Sequence, residues 1–426
     1  MTYAEAIEFL YDLRWFGAKL GLENTFKLAA QAGNPQDRLR FIHVAGTNGK
    51  GSVCAMLESI YRAAGRRVGL FTSPHLVAFG ERIQVDRQLV SEADVARLVA
   101  ELQPQLKEFP AEHHPTFFEV VTVMALRYFA EQQCDLVIWE TGMGGRLDAT
   151  NIVTPLASVI TNVQFDHQQW LGRTHVQIAV EKAGIIKPGI PVVTATDEPE
   201  ALAVIAARAR ELAAPLTIVE LAASLFSPGE VPALPLLGEH QRLNAAVALA
   251  AVHVLQPQLP VSAAALRHGL ERVHWPGRLQ LIRLGEGRRI LFDGAHNAAG
   301  ALVLGGALRH HFPDTKPALV LGVLGDKDWP AICDLIAPLA HRICLVPVSS
   351  GRSADPAALA PVCHRANPAA QISVHGSVEE ALRAVASEPL VLVAGSLYLV
   401  GEAMERLGLS PARPVEERGL NEWTMR

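Results

Sequence analysis

The sequence predicts an α/β fold in which parallel strands are covered by helices on both faces. Short runs of Val, Ile and Leu alternate with helical patterns along most of the 426 residues, which is typical of buried parallel strands. The alternation stops in a proline-rich stretch, 215–238, and restarts after the Pro276–Gly277 step. At roughly 100–200 residues per domain, a chain of this length forms two or three domains. We therefore predict a first domain over 1–276 and a smaller α/β domain over 277–426.

The composition is typical of an ordered globular protein with small-molecule ligands. Half of the residues are hydrophobic, 19% are charged, and the net charge is −5, so neither extensive disorder nor a nucleic-acid partner is expected. Five cysteines without a C-x-x-C pair argue against a disulfide or zinc framework. The sequence shows no basic leader and no apolar run of about 18 residues. We expect a cytoplasmic monomer with no membrane partner.

A glycine-rich loop follows the first predicted strand. Residues 41–52 read F-I-H-V-A-G-T-N-G-K-G-S, and an apolar helical pattern continues over 53–60. A strand, a glycine loop and a helix N-terminus together form an anion site. We expect Lys50 to reach the β- and γ-phosphates of a nucleotide and Ser52 to bind magnesium. Gly51 departs from the usual spacing because it separates the lysine from the hydroxyl. We interpret this as a P-loop-type domain rather than as a structural turn.

Polar residues stand at the carboxyl ends of the next predicted strands. Ser73, Glu140 and His167 each follow or close such a strand, and ligands of parallel sheets bind at this edge. Each alone has a plainer explanation, as a turn residue, a strand-end carboxylate or a loop histidine. Together with the phosphate loop they indicate a magnesium site. The predicted strands are 67–71, 135–140, 157–163 and 191–195, and the predicted helices are 92–107, one ending at Glu131, and 244–255.

The chain beyond residue 276 predicts a Rossmann-like α/β domain. Asp293 and His296 directly follow a strand, again at a ligand-facing edge, and Asn297 is expected to cap the next helix. Arg278, in the linker, is placed to contact a ligand bound between the domains. The charged loop 325–328 (G-D-K-D) is as compatible with solvent exposure as with function. The predicted strands begin at Ile290 and cover 318–323, 342–348 and 390–396.

Two further features keep both a structural and a functional interpretation. Lys182 lies in a helical run, where a lysine is usually solvated. In a poorly hydrated pocket its pKa would fall, and the neutral amine could act as a nucleophile. Phe117 and Phe118 either pack in the core or offer their faces to a flat ring.

These motifs resemble the bifunctional dihydrofolate synthase/folylpolyglutamate synthases of the Mur ligase superfamily. The resemblance extends to about residue 410, and the glycine of G-K-G-S is specific because cell-wall Mur ligases typically lack it. The motifs are G-T-N-G-K-G-S at 46–52, T-S-P-H-L at 72–76, E-T-G-M-G-G-R-L-D-A-T-N at 140–151, H-Q-x-x-N-A at 240–245, P-G-R at 276–278, D-x-A-H-N at 293–297 and G-S-L-Y-L-x-G-E at 395–402.

The resemblance implies an ATP-dependent ligase that adds L-glutamate to dihydropteroate, forming dihydrofolate, and to folates, extending a polyglutamate tail. The substrate carboxylate would attack the γ-phosphate of ATP, and glutamate would displace phosphate from the resulting acyl phosphate. ATP and two magnesium ions are the implied cofactors. The nearest alternatives are an enzyme with polyglutamate extension alone and a cell-wall Mur-type ligase. Gly51 and the T-S-P-H loop argue against the latter.

Two other classes fit the sequence less well. A P-loop kinase or motor ATPase leaves Arg278, Asp293 and His296 without an evident use. A non-catalytic nucleotide-dependent binding protein would not need the complete set of Lys50, Ser52 and Glu140.

The resemblance also implies residue roles. Lys182 matches the lysine that this family carbamylates, which would place a carboxylate-like group beside the second magnesium. The catalytic candidates are therefore Lys50, Lys182 and His296, and His296 is expected close to the transferring phosphate. ATP contacts are expected from Asn48, Gly49, Lys50, Gly51, Ser52, Asn244, Arg278 and Asp293. Metal ligands are expected to be Ser52, Ser73, Glu140 and His167. The pteroate site is expected to include Ala18, Lys19, Leu20, Thr72, Thr116, Phe117, Phe118, Glu119, Leu147, Asp148 and Ala149.

Overall fold

Two separate sheets organise the chain, which confirms the predicted α/β class. The structure is a computed structural model that describes residues 1–17, 21–220, 234–410, 412 and 417–422. Three predicted pteroate residues, Ala18, Lys19 and Leu20, lie outside the described residues. Within the described part of the chain, no helix is long and apolar enough to cross a membrane.

The first sheet has eight strands. They are β1 (Phe41–Ala45), β2 (Val68–Phe71), β3 (Ile83–Val85), β4 (Gln88–Leu89), β5 (Leu136–Glu140), β6 (Ala157–Ile160), β7 (Val192–Thr194) and β8 (Leu216–Ile218). Their order is β4-β3-β2-β5-β1-β6-β7-β8, and all pairs are parallel except β2–β3 and β3–β4. β1 is therefore central and lies between β5 and β6, so the three loops that follow these strands meet at one edge.

Three short strands of this sheet were not predicted. β3 and β4 form a hairpin whose turn residues, Asp86 and Arg87, have φ values of 50° and 68°, as a tight two-residue turn requires. With three residues in β3 and two in β4, these strands are too short for the apolar pattern by which strands are predicted from sequence. β8 lies in the stretch expected to be irregular, at the edge of the sheet, where few apolar residues are needed.

Helices cover both faces of the first sheet. They are α1 (Tyr3–Leu13), α2 (Glu23–Gln31), α3 (Lys50–Ala63), α4 (Glu92–Leu106), α5 (Phe117–Glu131), α6 (Gln168–Leu171), α7 (His175–Ala183), α8 (Pro199–Glu211), α9 (Glu239–Leu255) and α10 (Ala263–Glu271). Successive residues of β1 point to opposite faces, so Phe41 packs with α1, α4 and α5, whereas Ile42 and Val44 pack with α3 and α9. Helix α9 begins before its predicted start, which puts Asn244 inside the helix.

The second sheet has six strands. They are β9 (Gln280–Arg283), β10 (Arg289–Asp293), β11 (Ala318–Leu321), β12 (Arg342–Leu345), β13 (Gln371–Val374) and β14 (Leu390–Ala394). The order is β13-β12-β11-β14-β10-β9, and only β9 is antiparallel to its neighbour. The helices are α11 (Ala298–His311), α12 (Trp329–Ile336), α13 (Pro356–Ala366), α14 (Val378–Ala384) and α15 (Leu397–Arg406). The two strands that were not predicted, β9 and β13, are partly exposed edge strands without a continuous apolar run. The domain limits at 276 and 277 stay a prediction.

We expect Gly269→Ala to destabilise the first domain. A Cβ at Gly269 would lie 2.5 Å from the Cα of Ile60, because α10 packs directly on the backbone of α3. Overpacking of this kind costs about 1–3 kcal/mol, measurable as a lower free energy of unfolding in urea. Gly306→Ala is the matched control, since this helical glycine has no neighbour within 4 Å of an added Cβ. An equal loss in both variants would contradict the close helix contact.

Candidate active site

The loop between β1 and α3 depends on glycine at two positions. Gly46 and Gly49 have φ values of 148° and 84°, which favour glycine. A Cβ at Gly46 would lie 1.8 Å from the Oγ1 of Thr161, whose hydroxyl donates to a loop carbonyl at 2.6 Å. A Cβ at Gly49 would lie 2.5 Å from the Oδ1 of Asn244. Asn244 therefore lies directly against the phosphate loop, in agreement with its expected place near a nucleotide.

Lys50 begins α3 and folds back over the loop. Its Nζ donates to the carbonyl oxygens of Gly46 at 3.1 Å and Thr47 at 3.2 Å. Ser52 is buried in the same first turn. A Cβ at Gly51 would lie 2.8 Å from the Cζ2 of Trp275. Packing against this indole therefore explains the additional glycine of G-K-G-S, and the spacing of the motif gave no sign of that cause.

The predicted metal ligands of β2 and β5 are in contact. The amide of Ser73 donates to the Oε2 of Glu140 at 2.9 Å. Burial raises the pKa of Glu140 to about 7, although the charge of Lys50 acts to lower it. Burial lowers the pKa of His167 to about 3, and Lys50 contributes in the same direction. His167 is thus a neutral imidazole, which is the form that binds metals.

Lys182, on α7, is only 2% exposed, which is incompatible with a solvated surface lysine. Burial and the charge of Lys50 lower its pKa to about 7. Among the described residues, no carboxylate lies within ion-pair distance of its Nζ. The charge of Lys50 thus contributes to the pKa shifts of Glu140, His167 and Lys182, and their assignment to one site stays a prediction.

Asp166, next to His167, connects the two sheets. Its Oδ1 lies 2.5 Å from the Nζ of Lys327, and its Oδ2 lies 3.4 Å from the Nε2 of His296. Burial alone would raise the pKa of Asp166, but the His296 hydrogen bond and the Lys327 charge bring it well below its ordinary range. Asp166 was not among the predicted site residues, and Lys327 belongs to the loop left open at 325–328. The sequence signal that could have identified Asp166 and Lys327 is their position shortly after the strands β6 and β11.

A second contact joins the same edges. The Nδ2 of Asn297 donates to the Oδ1 of Asn48 at 3.1 Å, while its Oδ1 accepts from the amide of Gly300 and caps α11 as expected. The first turn of α11 therefore lies against the phosphate loop.

Arg278 is a buried cation between the sheets. Burial lowers its pKa, and the charges of Asp293 and Glu140 partly oppose that shift. Its Nη1 is buried and has no hydrogen-bond partner among the described residues, which suits an anionic ligand. The carboxylate of Asp293 accepts from the amides of Leu279 and Ala295, each at 2.9 Å. Asp293 therefore holds the linker backbone at Leu279, directly after Arg278.

A cavity opens between the sheets beside this site. Ser73, His167 and His296 line it together with most of the predicted pteroate residues: Thr116, Phe117, Phe118, Glu119, Leu147, Asp148 and Ala149. Thr72 is not one of the described residues that line it, and its amide instead donates to the carbonyl of Arg82 at 3.0 Å. The cavity thus brings two predicted metal ligands and His296 together with the predicted pteroate residues.

Several of these residues also hold the backbone. Thr116 and Glu119 form a capping box at the start of α5, in which the Thr116 amide donates to Glu119 at 2.7 Å. Asp148 accepts from the amide of Met143 at 2.7 Å and from the amide of Thr150 at 3.0 Å. Phe118 packs 6.0 Å from the ring of Phe71 and also lines the cavity. Phe118 therefore packs against a core ring, and its contact with a ligand stays a prediction.

The donors at this edge fit magnesium bound together with a nucleotide. The described residues contain no group of three or more His, Cys, Asp or Glu side chains able to hold a metal unaided. Magnesium in nucleotide sites needs only one or two carboxylates, because phosphate and water complete its shell. Glu140, the neutral His167 and the hydroxyls of Ser52 and Ser73 supply such a set.

Comparison with known proteins decides the family. The Mur ligase middle domain matches residues 44–252, and the Mur ligase glutamate ligase domain matches 277–397. The dihydrofolate synthase/folylpolyglutamate synthase of Bacillus subtilis (strain 168) is 36% identical over 432 residues, which cover 95% of this chain and 99% of that protein. The chain belongs to the dihydrofolate synthase/folylpolyglutamate synthase family. This confirms the resemblance seen in the motifs.

Solved structures of this family superpose on the whole chain. The E. coli FolC structure in complex with DHPP and ADP has a TM-score of 0.83 and 31% identity, covering 96% of this chain and 98% of that one. The Yersinia pestis c092 folylpolyglutamate synthase/dihydrofolate synthase, complexed with AMPPNP and a Mn ion, gives the same TM-score, identity and coverage. Family members therefore bind adenine nucleotides and a divalent metal.

We expect Asp166→Ala to destabilise the protein because it removes the ion-pair partner of Lys327. The variant leaves the Lys327 ammonium, which is 9% exposed, without its anion, a change that costs about 3–5 kcal/mol. Urea unfolding measures the loss, and the Asp166→Ala/Lys327→Ala double variant is expected to lose less than the sum of the single variants. Asp334→Ala is the control, because Asp334 and Arg365 form an exposed pair worth at most about 1 kcal/mol. Additive losses at 166 and 327 would refute the coupling.

Proposed function

We propose that this chain is an ATP-dependent ligase that joins L-glutamate to dihydropteroate and to folates. The observation that carries the proposal is a cavity between the two sheets, in which the predicted metal ligands Ser73 and His167 share a wall with Phe117 and Phe118. A ligase of this kind must place a carboxylate beside the γ-phosphate of ATP, and the wall of the cavity includes His296 and the predicted metal ligands Ser73 and His167. The family membership and its nucleotide and DHPP complexes support the same reaction.

The reaction consists of two displacements. An oxygen of the substrate carboxylate attacks the γ-phosphorus, the bond to the β-phosphate oxygen breaks, and ADP leaves. The amine of glutamate then attacks the acyl carbon, inorganic phosphate leaves, and the nitrogen loses a proton as the amide forms. Magnesium, when bound, neutralises phosphate charge and orients the γ-phosphate.

The cations of the chain stabilise the transferring charge. Lys50 exchanges its contacts with the loop carbonyls for phosphate oxygens, and Arg278 directs its buried Nη1 at the nucleotide. The Nδ1 of His296 donates to the carbonyl of Gly294 at 2.8 Å, and its Nε2 lies 3.4 Å from the Oδ2 of Asp166. We assign His296 a contact with the transferred phosphate. Preorganised donors of this type act mainly by electrostatic stabilisation.

Lys182 is proposed to act as a carbamate. Carbon dioxide would add to its neutral amine with loss of a proton, converting a buried cation without an ion-pair partner among the described residues into an anion. That anion would bind a second magnesium beside His167. An unmodified ammonium at this position would instead repel the metal.

The substrate partners are small molecules: dihydropteroate, folates and L-glutamate. Phe117, Phe118, Leu147 and Ala149 are proposed to enclose the pteroate ring system in the apolar part of the cavity. Closure of the two sheets through the Asp166–Lys327 contact would exclude water from the acyl phosphate. A monomeric state, a cytoplasmic location and the roles of residues 18–20 stay predictions.

We expect Lys50→Ala to lose at least about 90% of kcat in a ligation assay with ATP, magnesium, glutamate and dihydropteroate. This corresponds to about 1.4 kcal/mol or more of transition-state stabilisation. The control is Lys316→Ala, at an exposed position outside the site, which is expected to keep full activity. A Lys50→Ala variant with more than a tenth of the parent kcat would refute the phosphate-loop assignment.

We expect Lys182→Ala to be nearly inactive and to regain activity when a short carboxylic acid is added. The acid would occupy the space of the carbamate and restore an anion beside the metal. Lys50→Ala is the matched control, because its missing cation cannot be replaced by an acid. Rescue of both variants, or full activity of Lys182→Ala without acid, would contradict the carbamate.

A further inference from the structure

Arg82 is a buried guanidinium in the wall of the cavity. It is 3% exposed and lies immediately before β3, with its guanidinium carbon 5.3 Å from the ring centre of Phe117. Burial lowers its pKa to about 10, so it keeps its charge at neutral pH. Arg82 therefore brings a permanent positive charge to a surface that is otherwise partly aromatic.

The recorded hydrogen-bond partners of this charge are neutral. The Nε of Arg82 donates to the Nδ1 of His75 at 2.8 Å, and Nη2 donates to the Oδ1 of Asn421 at 2.5 Å. Within the described ranges no carboxylate oxygen lies at ion-pair distance from Arg82. Of the three other cations of the cavity wall, Lys327 and Arg352 pair with aspartates, and Arg14 donates to the carbonyl of Gly419. A buried cation without a counter-ion is costly, so Arg82 is suited to an anionic ligand.

Nearby acids are committed to other partners. The carboxylate of Glu81 accepts from the backbone amides of residues 76–78 at 2.8–2.9 Å. Glu119 closes the capping box of α5, and Asp148 accepts from the amides of Met143 and Thr150. These carboxylates bond to the backbone, and although the charge of Glu81 acts on Arg82 from a distance, none of them forms an ion pair with its guanidinium.

A segment near the end of the described chain, 417–422, fixes the orientation of Arg82. The Nε2 of His75 lies 3.0 Å from the carbonyl oxygen of Glu417, which requires a proton on Nε2. Burial keeps His75 neutral by lowering its pKa well below the ordinary value. Its Nδ1 then has a lone pair and accepts from Arg82. Asn421 completes the arrangement, since its Nδ2 donates to the carbonyl of His75 at 2.9 Å.

We propose that Arg82 binds the carboxylate of the pteroate or folate substrate, and that His75 and Asn421 position its guanidinium for this contact. Ser73, at the metal edge, lines the same cavity, and the charge of Arg82 acts on Glu140. A carboxylate held by Arg82 would therefore share the cavity with Ser73 at the metal edge. This inference rests on the proposed function and adds a specificity-determining contact to it.

The test compares the binding of pteroate with that of its carboxamide, which differs only at the carboxyl group. We expect the parent protein to prefer the acid by at least about tenfold in Kd. Arg82→Met is expected to bind the acid at least about tenfold more weakly, with the Kd of the amide changed less than about threefold. Persistence of the preference for the acid in Arg82→Met, or equal weakening of both ligands, would overturn the proposal.

Asn421→Asp provides a second variant in case Arg82→Met fails to fold. An aspartate at 421 places an internal carboxylate beside the guanidinium, so the preference for the acid is expected to disappear while thermal unfolding stays cooperative. A merely structural Arg82 would leave this preference unchanged. Asn34→Asp, an exposed position on the surface, is the control for added charge. ADP binding is measured throughout: a parent protein that binds ADP but neither pteridine ligand refutes the proposed function itself.

Discussion

The repulsion between Lys50, at the phosphate loop, and the buried Lys182 is the constraint on which this site depends. Lys182 is buried, and the charge of Lys50 helps to lower its pKa, whereas the charges of Asp166 and Asp148 act to raise it. Without a nucleotide, the carbonyls of Gly46 and Thr47 hold the Lys50 ammonium. Phosphate anions relieve this repulsion more effectively than carbonyl dipoles do. The glycines matter because they let the loop backbone approach both the lysine and the anion.

The two sheets bring this charge distribution together because both present the carboxyl ends of parallel strands. β1 lies between β5 and β6, which places the phosphate loop, Glu140 and Asp166 at one edge. Lys327 follows β11 and His296 follows β10 in the other sheet. The Asp166–Lys327 pair and the Asn48–Asn297 hydrogen bond then join the edges through polar contacts. Polar contacts of this kind can separate and form again when substrates enter, which a continuous apolar interface would resist.

Sequence patterns predicted the long buried strands and the phosphate loop, because both leave a local signature of apolar runs and glycine spacing. They did not predict the edge strands β9 and β13, whose residues are partly exposed, or the cause of Gly51, which is the distant indole of Trp275. The same limit applies to Asp166 and Lys327, 161 residues apart. Their partnership depends on the placement of one sheet against the other. Residue types at strand ends identify candidates, whereas their partners follow from the tertiary structure.

All reactants of the proposed ligation are anionic, and the distribution of acids in the cavity is consistent with this. Glu81, Glu119 and Asp148 direct their carboxylates at backbone amides, so they stabilise loops and helix starts without opposing the charge of a ligand. Arg82, by contrast, has neutral hydrogen-bond partners in the described structure. The cations form two groups, one at the phosphate loop and one in the cavity. A carboxylate and a triphosphate can therefore be held close together although they repel each other, because each meets its own group of cations.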